Sequence, residues 1–166
     1  NDIAKDHPET ALATALRWLE ESPTPETEWT VKHGLRPLVK KGDQRALALL
    51  GATGGEHIEV ARLSLTPTTL TVGDTLVIDF DLTNTDDRTH HVTVDYVVHH
   101  VRGNGRTTPK VFKLTSLELA PGERRGLRKL HPAREIRTRT YHPGEHQVDI
   151  QVNGLVKGAG RFGLKI

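Results

Sequence analysis

Trp29, Lys32, His33, Arg36 and Lys40 place an aromatic ring and a row of cations along one side of a short, apolar-patterned segment. At 100° per residue, Lys32, Arg36 and Lys40 fall on one strip, with His33 beside it and Trp29 over the same side. Such a strip can face phosphates; the plain alternative is a wet helix face with Trp29 packed under a neighbour. A second concentration of charge lies between Arg102 and His142, where eleven Lys/Arg stand against Glu118, Glu123 and Glu135, a local +8. A field of that sign attracts a polyanion, and its alternative reading is the solvated face of alternating strands.

Other chemistries find less support. His90-His91 and His99-His100 stand near opposite ends of one expected strand. Adjacent strand residues point to opposite faces, so each pair can offer one ligand at most to a given site, and no His-Glu-x-x-His spacing occurs. No metal and no cofactor is expected. Gly103-Asn104-Gly105 reads as a turn rather than a phosphate loop, because it lacks a strand-loop-helix setting. There is no Gly-x-Ser-x-Gly elbow and no cysteine nucleophile.

The elements that must position these side chains divide the chain in two. Its 166 residues, 35% hydrophobic, allow one domain or two small ones. Net charge is +2, and residues 1–55 are nearly balanced, with seven basic against eight acidic side chains. The absence of cysteine fits a reducing compartment, and the cytoplasm is the expected location. No run approaches the ~18 apolar residues of a membrane span. The chain opens at Asn1 and contains no methionine, which reads as a piece of a longer protein.

Residues 1–55 pattern as helices. Asp6 with Glu9 resembles a capping box, Pro8 suits a first turn, and Ala11, Leu12, Ala15, Leu16 and Leu19 form an apolar stripe, predicting a helix over 7–21. Ser22-Pro23-Thr24-Pro25 ends it. A second amphipathic run starts near Glu26 with Val31, Leu35, Leu38 and Val39 on one face, and Gly34 and Pro37 threaten a kink. A third helix over 43–50 closes at Gly51. Three short amphipathic helices suit the end of a HEAT-like helical repeat domain.

From His57 the period changes from 3.6 to 2. Leu76, Ile78, Phe80 and Leu82 alternate with polar or smaller residues, as do Val92, Val94, Tyr96 and Val98, and turn signals recur up to Asn153-Gly154. Seven or more short strands predict an immunoglobulin-like antiparallel β-sandwich over 56–166, and the fold class is α+β.

With both parts in view, Asn1-Asp2-Ile3-Ala4-Lys5-Asp6-His7-Pro8-Glu9, Trp29-Thr30-Val31-Lys32-His33-Gly34-Leu35-Arg36 and Leu38-Val39-Lys40-Lys41-Gly42-Asp43 resemble the last helical repeats of bacterial AlkC-type DNA alkylation repair glycosylases. Val94-Asp95-Tyr96-Val97-Val98-His99, Lys110-Val111-Phe112-Lys113-Leu114, Arg139-Thr140-Tyr141-His142-Pro143-Gly144-Glu145-His146 and Val152-Asn153-Gly154 resemble the immunoglobulin-like domain that follows in that family. The resemblance implies excision of alkylated bases such as 3-methyladenine from double-stranded DNA, by cleavage of the N-glycosidic bond without metal or nucleotide cofactor. It carries Asp2 over as a candidate active-site carboxylate, with helix bracing as the alternative role. It also implies that Arg134, Arg137, Arg139, His142 and His146 join Trp29, Lys32, His33, Arg36 and Lys40 in gripping DNA. Tyr141 is read instead as fixing the turn before the next strand. The fragment by itself is expected to lack a complete active site.

A different class of function stays open: a noncatalytic adhesion or assembly module whose basic charge serves solubility. Repair predicts cations converging on one surface. Adhesion predicts dispersed charge and an exposed apolar patch.

Overall fold

The computed structural model describes residues 1–136 and 138–166. Arg137 lies outside the described residues. The chain forms two compact units, Asn1–Thr53 and Gly54–Ile166.

The first unit contains α1 (Asp2–Asp6), α2 (Pro8–Glu21), α3 (Pro25–Gly34), α4 (Arg36–Lys40) and α5 (Gln44–Leu49). Ala4, Leu12, Ala15, Val31, Leu35, Leu38 and Ala46 meet in its core. Two local differences from the sequence pattern appear. The Asp6–Glu9 capping box does not form: Asp6 ends α1, His7 is the N-cap of α2 without a side-chain cap bond, and Pro8 occupies the first turn, where its missing N–H costs nothing. Leu16, expected on the apolar stripe, is 45% exposed. The second run breaks at Leu35, because Pro37 has no N–H to continue α3 and instead sits in the first turn of α4. Lys32 therefore belongs to a different helix from Arg36 and Lys40.

Helix α5 is capped by chemistry legible in the sequence. The Asp43 carboxylate accepts from the Arg45 and Ala46 amides at 2.9 and 3.2 Å and from the Arg45 guanidinium. Asp43→Ala should destabilise the helical unit by about 1 kcal/mol, the usual value of an N-cap. A shift in its thermal melting would measure this, and an unchanged melt would show that packing of Ala46 and Leu47 alone holds α5.

The second unit opens with a 3-10 turn, Gly55–His57, followed by β1 (Ile58–Thr66), β2 (Thr69–Thr71), β3 (Thr75–Asn84), β4 (His90–Val101), β5 (Thr107–Leu119), β6 (Arg124–Pro132), β7 (Gly144–Val152) and β8 (Leu155–Lys165). One sheet has the order β1-β3-β6 and the other β2-β8-β7-β4-β5. All pairs are antiparallel except β2 with β8. The alternation on β3 buries Leu76, Ile78, Phe80 and Leu82 against Val92, Val94, Tyr96 and Val98 of β4 and Val148, Ile150 and Val152 of β7. Glycine is required where β8 faces β1. A Cβ on Gly160 would stand 3.0 Å from Leu65 Cδ1, and one on Gly158 would stand 3.1 Å from Val60 Cγ1. The Asn153-Gly154 turn has φ of 48° and 76°, as a tight hairpin demands. Among the described residues, no helix is long and apolar enough to cross a membrane.

Candidate nucleic-acid interface

In the helical unit, Trp29 is 62% exposed and stacks on His33 with ring centroids 3.9 Å apart. His33 Nδ1 donates to the Trp29 carbonyl oxygen at 2.8 Å, which fixes the imidazole under the indole. Lys32 on α3 and Arg36 on α4 are exposed, and so is Lys40 at the end of α4. Lys32 and His33 also lie in the last turn of α3, where positive charge complements the helix dipole. Asp2 stands in the first turn of α1 with its side chain 91% exposed, 3.3 Å from Lys5 Nζ.

In the β unit, two groups of arginines stand out in the 102–142 stretch. The three arginines on β6 are paired: Arg124 with Asp81 at 2.6 Å, Arg128 with Asp79 at 2.8 Å, and Arg125 with Glu123. The two aspartates come from β3, whose register with β6 sets Asp79 opposite Arg128. Counting charge along the chain from 102 to 142 misses both.

The second group gathers at one end of the sandwich. There the β4–β5 hairpin tip meets the 133–143 segment: a Cβ on Gly103 would lie 3.3 Å from the His142 ring, and one on Gly144 would lie 3.5 Å from Val101. The β2–β3 turn holds the same segment, with Gly73 N–H donating to the Ala133 oxygen at 2.9 Å and Ala133 N–H to the Asp74 oxygen at 2.8 Å. Arg134 is exposed there, and so are Arg102 and Arg106. Those last two arginines were read in the sequence only as part of a charged stretch; the signal that could have singled them out is their position on either side of Gly103-Asn104-Gly105.

Arg139 is half-buried. Its guanidinium lies over the Phe112 and Tyr141 rings, 5.5 and 5.9 Å from their centroids, and Nη1 donates to Tyr141 Oη at 3.4 Å. Tyr141 itself is buried, in keeping with a structural role. His146, expected to touch DNA, is 1% exposed. Its ring stacks on Phe162 and its Nε2 donates to the His142 carbonyl at 3.1 Å, so the inward-facing register of β7 removes it from any surface.

Beneath this end lies a cluster of buried rings. Tyr96 Oη and His131 Nδ1 are hydrogen-bonded at 3.1 Å, and Phe112 packs edge-on against His131. His100 meets both Tyr141 and His146 edge-on, and neither of its ring nitrogens has a hydrogen-bond partner among the described residues. Burial, reinforced by the Arg139 charge, pushes His100 down to about 3 and His131 down to about 4. Burial likewise lowers His146 and raises Tyr96 to about 12. Other histidines serve carboxylates: His90 lies 2.6 Å from Asp86, and His99 lies 2.7 Å from Asp149, which also accepts from Gln147. Among the described residues, no three His, Asp or Glu side chains stand as a metal site.

Residues 59–166 match the family described as the C-terminal Ig-like domain of the uncharacterised protein YhaZ. The chain belongs to this family. It is 32% identical over 162 residues to the uncharacterized protein YhaZ of Bacillus subtilis (strain 168), covering 98% of this chain and 44% of that one. Its whole length superposes, with a TM-score of 0.95 and 36% identity, on 46% of the Pseudomonas fluorescens alkylpurine DNA glycosylase AlkC bound to DNA containing an abasic site analog. The AlkC-type resemblance read from the sequence thus holds along the entire chain. A β-glucosidase from Listeria innocua in complex with isofagomine is similar over 64% of the chain and 16% of the enzyme, at 16% identity and a TM-score of 0.54, a likeness of fold alone. The chain spans less than half the length of its YhaZ and AlkC relatives.

Proposed function

We propose that this chain is the DNA-gripping portion of a DNA alkylation repair glycosylase. The observation that supports the reading most strongly is its full-length likeness to a glycosylase captured on DNA with an abasic site analog. On this reading the five helices are the end of a HEAT-like repeat domain, and the sandwich is a DNA-gripping appendage. The longer protein excises bases of the 3-methyladenine class by breaking the N-glycosidic bond in the cytoplasm. That chemistry suits a carboxylate, because the departing base leaves positive charge on the sugar, which an anion stabilises while it orients water. Asp2 is the one residue here offered for that role, and this chain alone holds no complete site. No metal or cofactor enters.

The phosphate contacts proposed are Lys32, His33, Arg36 and Lys40 beside Trp29 in the helices, and Arg134 and His142 in the sandwich. Arg139 supports that segment from within through Phe112 and Tyr141. Such contacts give sequence-independent, salt-sensitive binding, which suits a search for damage. The test is fluorescence anisotropy of a duplex carrying an abasic analogue across a salt titration, with wild type and a Lys32→Ala/Arg36→Ala/Arg134→Ala variant. Log affinity should fall with log salt at about −0.9 per phosphate contacted, and the variant should lose roughly three contacts' worth of slope. No binding at low salt would count against the proposal.

A further inference from the structure

We propose that the β4–β5 hairpin tip, Arg102-Gly103-Asn104-Gly105-Arg106, enters the minor groove of the bound duplex. The inference rests on the DNA-gripping function proposed above and adds the contact element and the groove.

The tip is built to be narrow. Arg102 N–H donates to the Arg106 oxygen at 2.7 Å, and Gly105 N–H to the Arg102 oxygen at 2.8 Å, closing the turn with Gly105 at a φ of 77°, a conformation that glycine adopts without strain. Only Asn104 carries a side chain between the arginines, and its Oδ1 folds back to accept from the Arg106 amide at 3.1 Å. Nothing bulky projects beyond the backbone.

Charge at the tip is uncompensated. Arg102 Nε donates to the Thr108 hydroxyl at 2.9 Å, which aligns its guanidinium along the strand, and Arg106 is exposed. Among the described residues, neither has a carboxylate partner, in contrast to Arg124, Arg125 and Arg128 on β6. Two acids of this end are engaged, Glu145 with Arg161 at 2.8 Å and Asp74, whose Oδ2 accepts from the Thr71 amide, while exposed Glu135 follows Arg134 on the neighbouring segment. His142 packs beside Gly103, and exposed Arg134 lies on the same segment, adding a further arginine near the base of the tip.

The tip offers no apolar side chain to fill a protein pocket, which argues against a protein partner. A slim, glycine-rich ribbon flanked by two arginines instead matches a groove about 6 Å wide, whose negative potential draws arginine. Arginine is preferred there because guanidinium sheds its hydration more readily than ammonium.

The test uses the whole chain and a fluorescein-labelled duplex with a central A·T tract and one abasic analogue, read by anisotropy. Arg102→Ala/Arg106→Ala should weaken binding on the order of tenfold or more and lower the salt slope by about two. Arg102→Lys/Arg106→Lys, which keeps the charge, should also bind more weakly, and netropsin, a minor-groove ligand, should displace the wild type whereas methyl green, which occupies the major groove, should not. Wild-type-like binding by the alanine variant, or displacement by methyl green alone, would overturn the inference while leaving the DNA-gripping function intact. A lysine variant equal to wild type would reduce the tip to diffuse charge and overturn the groove assignment. Failure of the wild type to bind at low salt would sink both proposals together.

Discussion

Acidification from pH 6.5 to 4 should remove about 5 kcal/mol of stability from the sandwich, enough to unfold a domain of ordinary stability. The cause is the ring cluster under the 133–143 segment. His100 and His131 are 8% and 5% exposed and are held neutral, with pKa values pushed down to about 3 and about 4 by burial and by Arg139. In the unfolded chain both protonate near 6.5. The unfolded state therefore binds more protons below pH 6.5, and stability falls from there until the folded-state values are reached. Their contribution is fully present above pH 6.5. The carboxylate of Asp86, held down at about 2 chiefly by its bond to His90, acts in the same direction but only further into acid, below pH 4. Urea unfolding at intervals of pH, followed by near-ultraviolet circular dichroism, would trace the curve.

His100 supplies the decisive variant. Its nitrogens have no hydrogen-bond partner among the described residues, so His100→Leu, of similar volume, gives up no such bond. It should be at least as stable as wild type at pH 8 and roughly 2 kcal/mol more stable relative to wild type at pH 5, where the neutral ring of the wild type has begun to cost. A flat pH profile for wild type, or a His100→Leu profile that parallels it, would remove the histidine cluster as the cause.

The second large effect is expected at the other end of the sandwich. Asn84 is fully buried, and its side chain ties three segments together: the two Nδ2 hydrogens are shared among the carbonyls of Arg88, Leu119 and Ala120 at 2.7, 3.0 and 3.2 Å, and Oδ1 accepts from the Asp86 amide at 3.0 Å. These bonds fasten the end of β3 and the β3–β4 turn to the end of β5. Asn84→Ala would remove the side-chain donor that the buried Leu119 carbonyl shares with those of Arg88 and Ala120 and unfasten the three segments, at about 3 kcal/mol. Asn84→Asp should be worse at neutral pH, since it sets a carboxylate against three carbonyl oxygens and lacks any donor, and it should recover in acid as the carboxyl gains a proton. Equilibrium urea denaturation would read both. An alanine variant within 1 kcal/mol of wild type would mean that water enters and replaces the amide.

What the sequence determined by itself is local. The change of period from 3.6 to 2 near His57 separates helices from strands, because helical and strand side chains repeat on those two spacings irrespective of what they pack against. Asn153-Gly154 makes its hairpin because both residues tolerate the left-handed conformation the turn needs. Asp43 caps α5 through bonds to residues two and three positions on. The AlkC-type kinship was legible too, in the order of short segments along the chain.

Only the tertiary structure decided which cations are available. Arg124 and Arg128 meet Asp81 and Asp79, partners 43 and 49 residues away, because the β3–β6 register sets them on one face. His146 turned inward because its pleat position on β7 faces Phe162, whereas His142, four residues earlier in the preceding loop, rests against the hairpin glycine. The tertiary packing of Gly103 against His142 and of Val101 against Gly144, which no local spacing encodes, brings Arg102 and Arg106 beside His142. A one-residue slip of the strand registers would reverse the assignments of Arg124, Arg128 and His146, since side chains on a strand change face at each step.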